Sequence, residues 1–115
     1  MSDASKIICK AWQSKHPELL LPIMAEEFNW YESPFEAPIN DAHTLLSLWK
    51  NDLSKQKDIK TNFQVLIDNK LEQVSKVEVN FIRNDNKEIN SGVFVIKLNS
   101  KGKIIEFRHW WESKQ

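Results

Sequence analysis

The stretch Phe28-Asn29-Trp30-Tyr31-Glu32-Ser33-Pro34-Phe35-Glu36 sets one carboxylate between two large aromatic residues and a Ser-Pro step, with no glycine nearby to relax the backbone. Strand alternation puts Phe28, Trp30 and Glu32 on one face and Asn29, Tyr31 and Ser33 on the other. If Phe28 packs beneath helices, Glu32 points the same way. A carboxyl there loses hydration and its pKa rises, which suits a general base or acid working near neutral pH. The alternative is a Glu32 that ends a fraying edge strand and reaches water.

A second polar group arises in the segment Ile104-Ile105-Glu106-Phe107-Arg108-His109-Trp110-Trp111-Glu112. Ile105, Phe107, His109 and Trp111 share one parity, and Ile104, Glu106, Arg108, Trp110 and Glu112 the other. The first set is the more apolar and is assigned inward, so that His109 can donate to a ligand oxygen or relay a proton, or can simply be a satisfied core histidine. The aromatic residues, five Trp, six Phe and one Tyr, are either core and interface packing or the walls of a cavity for a small apolar ligand. The candidate wall residues are Trp30, Trp49, Phe63, Phe94, Phe107 and Trp111. Val77, Val79 and Phe81 are assigned inward, which leaves Glu78 to pair with Arg108 on the outer face; reversed, Glu78, Asn80 and Arg108 would be cavity groups.

Other chemistries find no residues to carry them. With only Gly92 and Gly102 the chain has no glycine-rich phosphate cradle. Three scattered histidines without an i, i+4 pair predict no metal site, and no cofactor is implied. Cys9, the lone cysteine, falls on a helical apolar stripe and reads as a small buried hydrophobe. Sixteen basic residues balance sixteen acidic ones, and only Arg83 and Arg108 are arginines, which argues against nucleic acid as a partner. No apolar run approaches a membrane span, and the first residues lack a signal-peptide pattern, so the default expectation is the cytoplasm.

The elements that must hold these groups follow from periodicity. A length of 115 residues predicts one domain spanning 1–115. Ala4, Ile7, Ile8, Ala11 and Trp12 predict an amphipathic helix over residues 2–15, with Ser2 or Asp3 at its start. A second helix is predicted over 17–25, kinked or split by Pro22. A short strand over 28–33 ends at Pro34, and Asn40 or Asp41 caps a third helix through Ala42, Leu45, Leu46, Trp49 and Leu53. From Thr61 the period changes to two, which gives four strands at about 61–67, 71–83, 88–98 and 103–112 in an antiparallel meander, with Gly102 supplying a positive φ in the last turn. Both strand faces carry apolar residues (Val93 and Val95 against Phe94, Ile96 and Leu98), so a homodimer through the outer sheet face is expected.

The opening with "AEEFNWYESPF", the helix "NDAHTLLSLW", the hairpin "SGVFVIKLNSKGKIIEF" and the terminal "FRHWWE" together resemble the SnoaL-like branch of the nuclear transport factor 2-like (NTF2-like) superfamily. The resemblance covers nearly the whole chain. It implies an α+β cone: three N-terminal helices and one short strand on a strongly curved antiparallel meander sheet, dimeric, with a pocket between helices and sheet. The superfamily includes ketosteroid isomerase, polyketide cyclases, limonene epoxide hydrolase and scytalone dehydratase beside non-catalytic binding domains, so the fold does not decide the reaction. Ketosteroid isomerase carries its Asp base directly before a proline, where this chain has Ser33. Aligned on the "AEEF" segment instead, Glu32 takes the base position with Ser33 as one extra residue. The isomerase's oxyanion donors have no clear counterparts, and Trp12 stands on the helix. Two functions are expected from this: binding of an apolar or cyclic small molecule with proton transfer at Glu32 assisted by His109, or a non-catalytic binding or dimerisation module.

Overall fold

A computed structural model describes residues 2–114 of the chain. Helix α1 (Ala4–Ser14) buries Ala4, Ser5, Ile8, Cys9 and Ala11 along one stripe, as the spacing predicts. The Ser2 hydroxyl accepts from the Ala4 N–H at 3.0 Å, and Lys15 ends the helix in the left-handed conformation at φ 61°. The next segment is a 3-10 helix, Pro17–Ile23, not an α-helix reaching Ala25. Pro22 has no N–H to donate and restricts the residue before it, so only tight turns form. The chain then leaves in extended geometry at Met24, and strand β1 (Met24–Tyr31) begins four residues earlier than predicted.

Helix α2 (Ala42–Leu53) starts at Asp41, whose carboxylate accepts from the Thr44 N–H at 2.8 Å and from its hydroxyl at 2.9 Å. These two bonds hold the Asp41 pKa below its ordinary value. The four long strands are β2 (Lys57–Asp68), β3 (Glu72–Arg83), β4 (Asn86–Leu98) and β5 (Ile104–Lys114). They form the expected antiparallel meander, and Gly102 turns the last hairpin at φ 77°.

The five-stranded sheet has the order β1-β5-β4-β3-β2, with β1 parallel to β5. It is therefore mixed, not wholly antiparallel: the chain returns to the sheet edge from the helices, running the same way as β5. The core lies between the concave face (Val77, Val79, Phe81, Phe94, Ile96, Leu98, Ile104 and Phe107) and the helical layer (Ile8, Ala11, Leu20, Leu45, Trp49 and Leu53). At the narrow end the inward parity of β3 turns polar. The Ser75 and Ser5 hydroxyls meet at 2.7 Å, and Gln73 accepts from the Ser5 N–H at 3.0 Å and donates to the Ser2 carbonyl at 2.7 Å, pinning the start of α1 to the sheet.

Two expectations about sheet faces are corrected. Leu98 pairs with Ile104 but Lys97 with Glu106, so Ile105 is an extra residue in a bulge. Ile104 thus turns inward and is fully buried, while Ile105 is 39% exposed. Glu78 does not pair with Arg108 either, because its neighbour on β4 is Ser91 and that of Arg108 is Val95. Arg108 instead donates to Glu106 at 3.1 Å and lies over the Tyr31 ring at 3.9 Å.

On β4 Gly92 pairs with Trp111 of β5 at a close backbone approach. A Cβ on Gly92 would sit 2.7 Å from the Trp111 Cα and well inside contact with the Trp110 carbonyl. The atoms it would meet are all backbone of β5, which cannot give way as a flexible side chain would. Gly92→Ala is expected to cost more than about 2 kcal/mol, read as a lowered urea midpoint; a midpoint unchanged from the parent would show that this strand pairing does not need glycine.

Candidate functional site

At the wide end of the cone α1, α2, the loop after β1, and strands β3, β4 and β5 surround a cavity of about 510 Å³, within the roughly 300–1,000 Å³ range of small-molecule sites. Glu32 enters it from the bend that follows β1, one residue past the strand's end at Tyr31 and two after the buried Trp30. Two tryptophans fix it. The Trp49 indole N–H, on α2, donates to Glu32 Oε1 at 2.6 Å, and the Trp111 indole N–H, on β5, donates to the Glu32 carbonyl at 2.8 Å.

Burial pushes the Glu32 carboxyl up to about 7, with Asp52 and Glu36 adding repulsion while the Trp49 bond and the nearby Trp30 indole pull the other way. Desolvation wins because one short hydrogen bond does not replace the hydration that a carboxylate loses. His109 projects from β5 into the same cavity, 5% exposed, and burial lowers its pKa to about 4. It is therefore neutral at pH 7, and its Nε2 has no hydrogen-bond partner.

Aromatic packing sets the cavity wall. Trp30 stacks on Phe107 with ring centroids 3.9 Å apart, Phe107 meets Phe94 edge-on at 5.0 Å, and Phe94 meets His109 at 4.9 Å. Trp49 stands edge-on to both Trp30 and Trp12, each at 5.9 Å. Of the residues singled out from the sequence, Glu32, His109, Trp49 and Trp111 line the cavity. Trp30, Phe94 and Phe107 lie directly behind that lining in the core. Phe63 does not join them: it borders a separate open groove between α1 and β2, with Lys6, Lys10, Cys9 and Thr61. It pairs with Val77, whereas the β3 residues that line the cavity are Phe81 and Arg83, so it lies further along the sheet. Cys9 is a buried thiol whose pKa burial drives to about 12, the inert hydrophobe that its helical position predicts.

Several lining residues escaped the sequence reading although signals for them exist. Arg83 continues the inward parity of Val77, Val79 and Phe81, and Asn90 that of Phe94 and Gly92. Asp52 follows Trp49 by one helical turn. Asn90 is 8% exposed, and its Oδ1 has no partner. Arg83 is held by Glu88 through two bonds, of 3.2 and 2.7 Å. Gln56 accepts the Trp12 indole N–H at 2.9 Å.

A curved mixed sheet wrapped over three N-terminal helices, with a cavity at the wide end, is the NTF2-like fold. Comparison with protein-family models and with curated proteins gives no match to the sequence. Solved structures do share the fold. An NTF2-like protein of unknown function from Exiguobacterium sp. 255-15 has a TM-score of 0.77 at 13% identity, over 95% of this chain and 98% of that one. RV0760c from Mycobacterium tuberculosis, in complex with estradiol-17beta-hemisuccinate, has a TM-score of 0.83 at 14% identity, over the whole of both chains. The Delta 5-3-ketosteroid isomerase from Mycobacterium sp. has a TM-score of 0.78 at 15% identity, over 95% of this chain and 90% of that one.

The two titrating groups act on stability in opposite directions. Glu32, raised from 4.5 to about 7, favours the folded state while protonated, so its contribution is lost as pH rises from about 4.5 through 7. His109, lowered from 6.5 to about 4, favours the folded state while neutral, so its contribution is lost as pH falls through the same window. The parent protein should hold nearly constant stability from pH 4.5 to 6.5. Glu32→Gln should expose a rise with pH, and His109→Gln a fall, each on the order of 2 kcal/mol. Urea titrations across that range check this, and parallel profiles for parent and variants would contradict it.

Proposed function

We propose that the chain is a SnoaL-like small-molecule-binding protein whose aromatic cavity takes an apolar or cyclic ligand, with Glu32 as the proton-transfer group and His109 as its assistant. The observation that carries this reading is the Glu32 carboxyl, poised near neutrality inside a cavity walled by Trp12, Trp49 and Trp111. A group with a pKa of about 7 is both a competent base and, once protonated, a competent acid at physiological pH. Neutral His109 offers one donor and one acceptor to a ligand oxygen or proton. The ligand named with RV0760c and the activity named for the mycobacterial isomerase support the choice of an apolar cyclic ligand. The open volume argues against the alternative of a module whose pocket is filled by its own aromatic side chains.

The same reading includes a homodimer through the outer sheet face, where Trp110 is 48% exposed beside Val93 and Val95. No helix among the described residues is long and apolar enough to cross a membrane. A cytoplasmic location is part of the reading, supported by a lone cysteine that can form no internal disulfide.

The direct test is titration of the Glu32 carboxyl by carbon-13 NMR. A midpoint near 7 is expected, and Glu32→Gln should abolish turnover of a cyclic substrate while leaving the fold intact. A midpoint near 4.5 would remove the basis for proton transfer. For the dimer, light scattering at micromolar concentration should give twice the chain mass; the mass of one chain would refute the outer-face interface.

A further inference from the structure

We infer that the cavity selects a cationic ligand, an ammonium group carrying an apolar body, with the charge held among Glu32, Glu36 and Asp52 and the carbon skeleton against Trp12, Trp49 and Trp111. The inference rests on the reading of this cavity as a ligand site and adds the chemical class of the ligand.

The first support is charge. Three carboxylates line the cavity, and the one guanidinium there, Arg83, is already committed to Glu88 by two hydrogen bonds. The carboxylates are graded in depth: Glu36 and Asp52 are exposed at the mouth, and Glu32 is half-buried below them. Both outer charges reach the inner one, since each disfavours ionisation of Glu32. An acidic mouth leading to an aromatic chamber draws in cations and repels anions.

The second support is hydrogen bonding. All three lining indoles have spent their N–H groups on the protein: Trp12 on Gln56, Trp49 on the Glu32 side chain, and Trp111 on the Glu32 backbone. Trp30 is a core residue outside the lining; its N–H is buried near Glu32 and has no partner. What the indoles can still offer a ligand is apolar surface and the negative face of the ring, which attracts ammonium groups. Asn90, more than nine-tenths buried, independently leaves its Oδ1 without a donor. A buried acceptor without a partner is costly, and an N–H or ammonium donor relieves it. A carboxylate or phosphate ligand would meet the charges of Glu36 and Asp52 at the mouth, and the three lining indoles have no N–H left to donate to it.

A metal ion does not fit the same charges. Among the described residues, no three His, Cys, Asp or Glu side chains converge to hold one. Carboxylates spread from the mouth to the interior suit an extended organic cation, not a compact ion.

A proton linkage follows. Glu32 faces Asp52 and Trp49 from α2, Glu36 from the loop, Arg83 from β3, and His109 and Trp111 from β5. An ammonium beside it favours its ionised form. Cation binding must therefore displace the Glu32 proton whenever pH is below about 7.

The test is a calorimetric titration of the full chain with three probes of similar shape and different charge: phenethylammonium, whose N–H groups can donate to Asn90, its uncharged carbon isostere propylbenzene, and phenylacetate. The expected result is cation binding at least tenfold tighter than propylbenzene, with phenylacetate weakest and cation affinity falling up to tenfold per pH unit between 7 and 6. The Glu36→Gln, Asp52→Asn double variant, altered only at exposed positions, should weaken the cation several-fold and leave propylbenzene unchanged. Equal binding of cation and isostere, or tighter binding of phenylacetate, overturns the inference and leaves the cavity's ligand-binding role standing. Absence of saturable binding by all three overturns both.

Discussion

The parallel docking of β1 onto β5 is the constraint on which the site depends. Trp30 pairs in register with Phe107 and stacks on its ring at 3.9 Å, burying two large apolar faces in one contact. On the other edge of β1, the Trp30 N–H and C=O exchange hydrogen bonds with Ile39, at 2.9 and 2.8 Å. With Trp30 fixed on both sides, Glu32, two residues later and one past the end of β1 at Tyr31, is carried to the cavity by the bend that precedes Pro34. Trp49 and Trp111 then bind its side chain and carbonyl from opposite sides of the cavity.

This arrangement holds a carboxyl in tension between burial and hydrogen bonding. More donors would turn Glu32 into an ordinary structural carboxylate, and none would leave it protonated well above neutrality. One indole bond, with a second indole nearby, leaves it close to balance at neutral pH. His109 shows the other limit: among aromatic rings, with no charged partner, it stays neutral. Two titratable groups pushed in opposite directions within one cavity is a pattern found in acid-base sites. The long-range hydrogen bonds at the narrow end, from Ser2 and Ser5 to Gln73 and Ser75, fix α1 and with it the position of Trp12 at the far wall.

Periodicity carried most of the fold. The change from a 3.6 to a 2 repeat at Thr61, four residues into β2, separates helical and sheet halves, and the parity of Val77, Val79 and Phe81 identifies the concave face. Two local features broke the pattern. Pro22 turned a predicted α-helix into a 3-10 segment, and the bulge at Ile105 exchanged the roles of Ile104 and Ile105. A bulge leaves no trace in alternation when both candidates are isoleucine. Phe63 fits the aromatic pattern as well as Trp111 does, yet lies in a different groove because its partner on β3 is Val77, short of the Phe81 and Arg83 that line the cavity.

The sequence by itself determined the alternation that offers His109 to the interior, because alternation is set by backbone geometry a few residues long. It left Glu32 open between the interior and water, and assigned Ile105 inward where the bulge turns it out. Only the tertiary structure decided what those groups meet. The donor to Glu32 lies 17 residues away on α2 and the bond to its carbonyl comes from 79 residues away on β5. The pairing of Arg83 with Glu88 instead of a ligand, and of Arg108 with Glu106 instead of Glu78, followed from register. Charge balance and free acceptors in a cavity are sums over elements brought together by folding, so no window of the chain contains them.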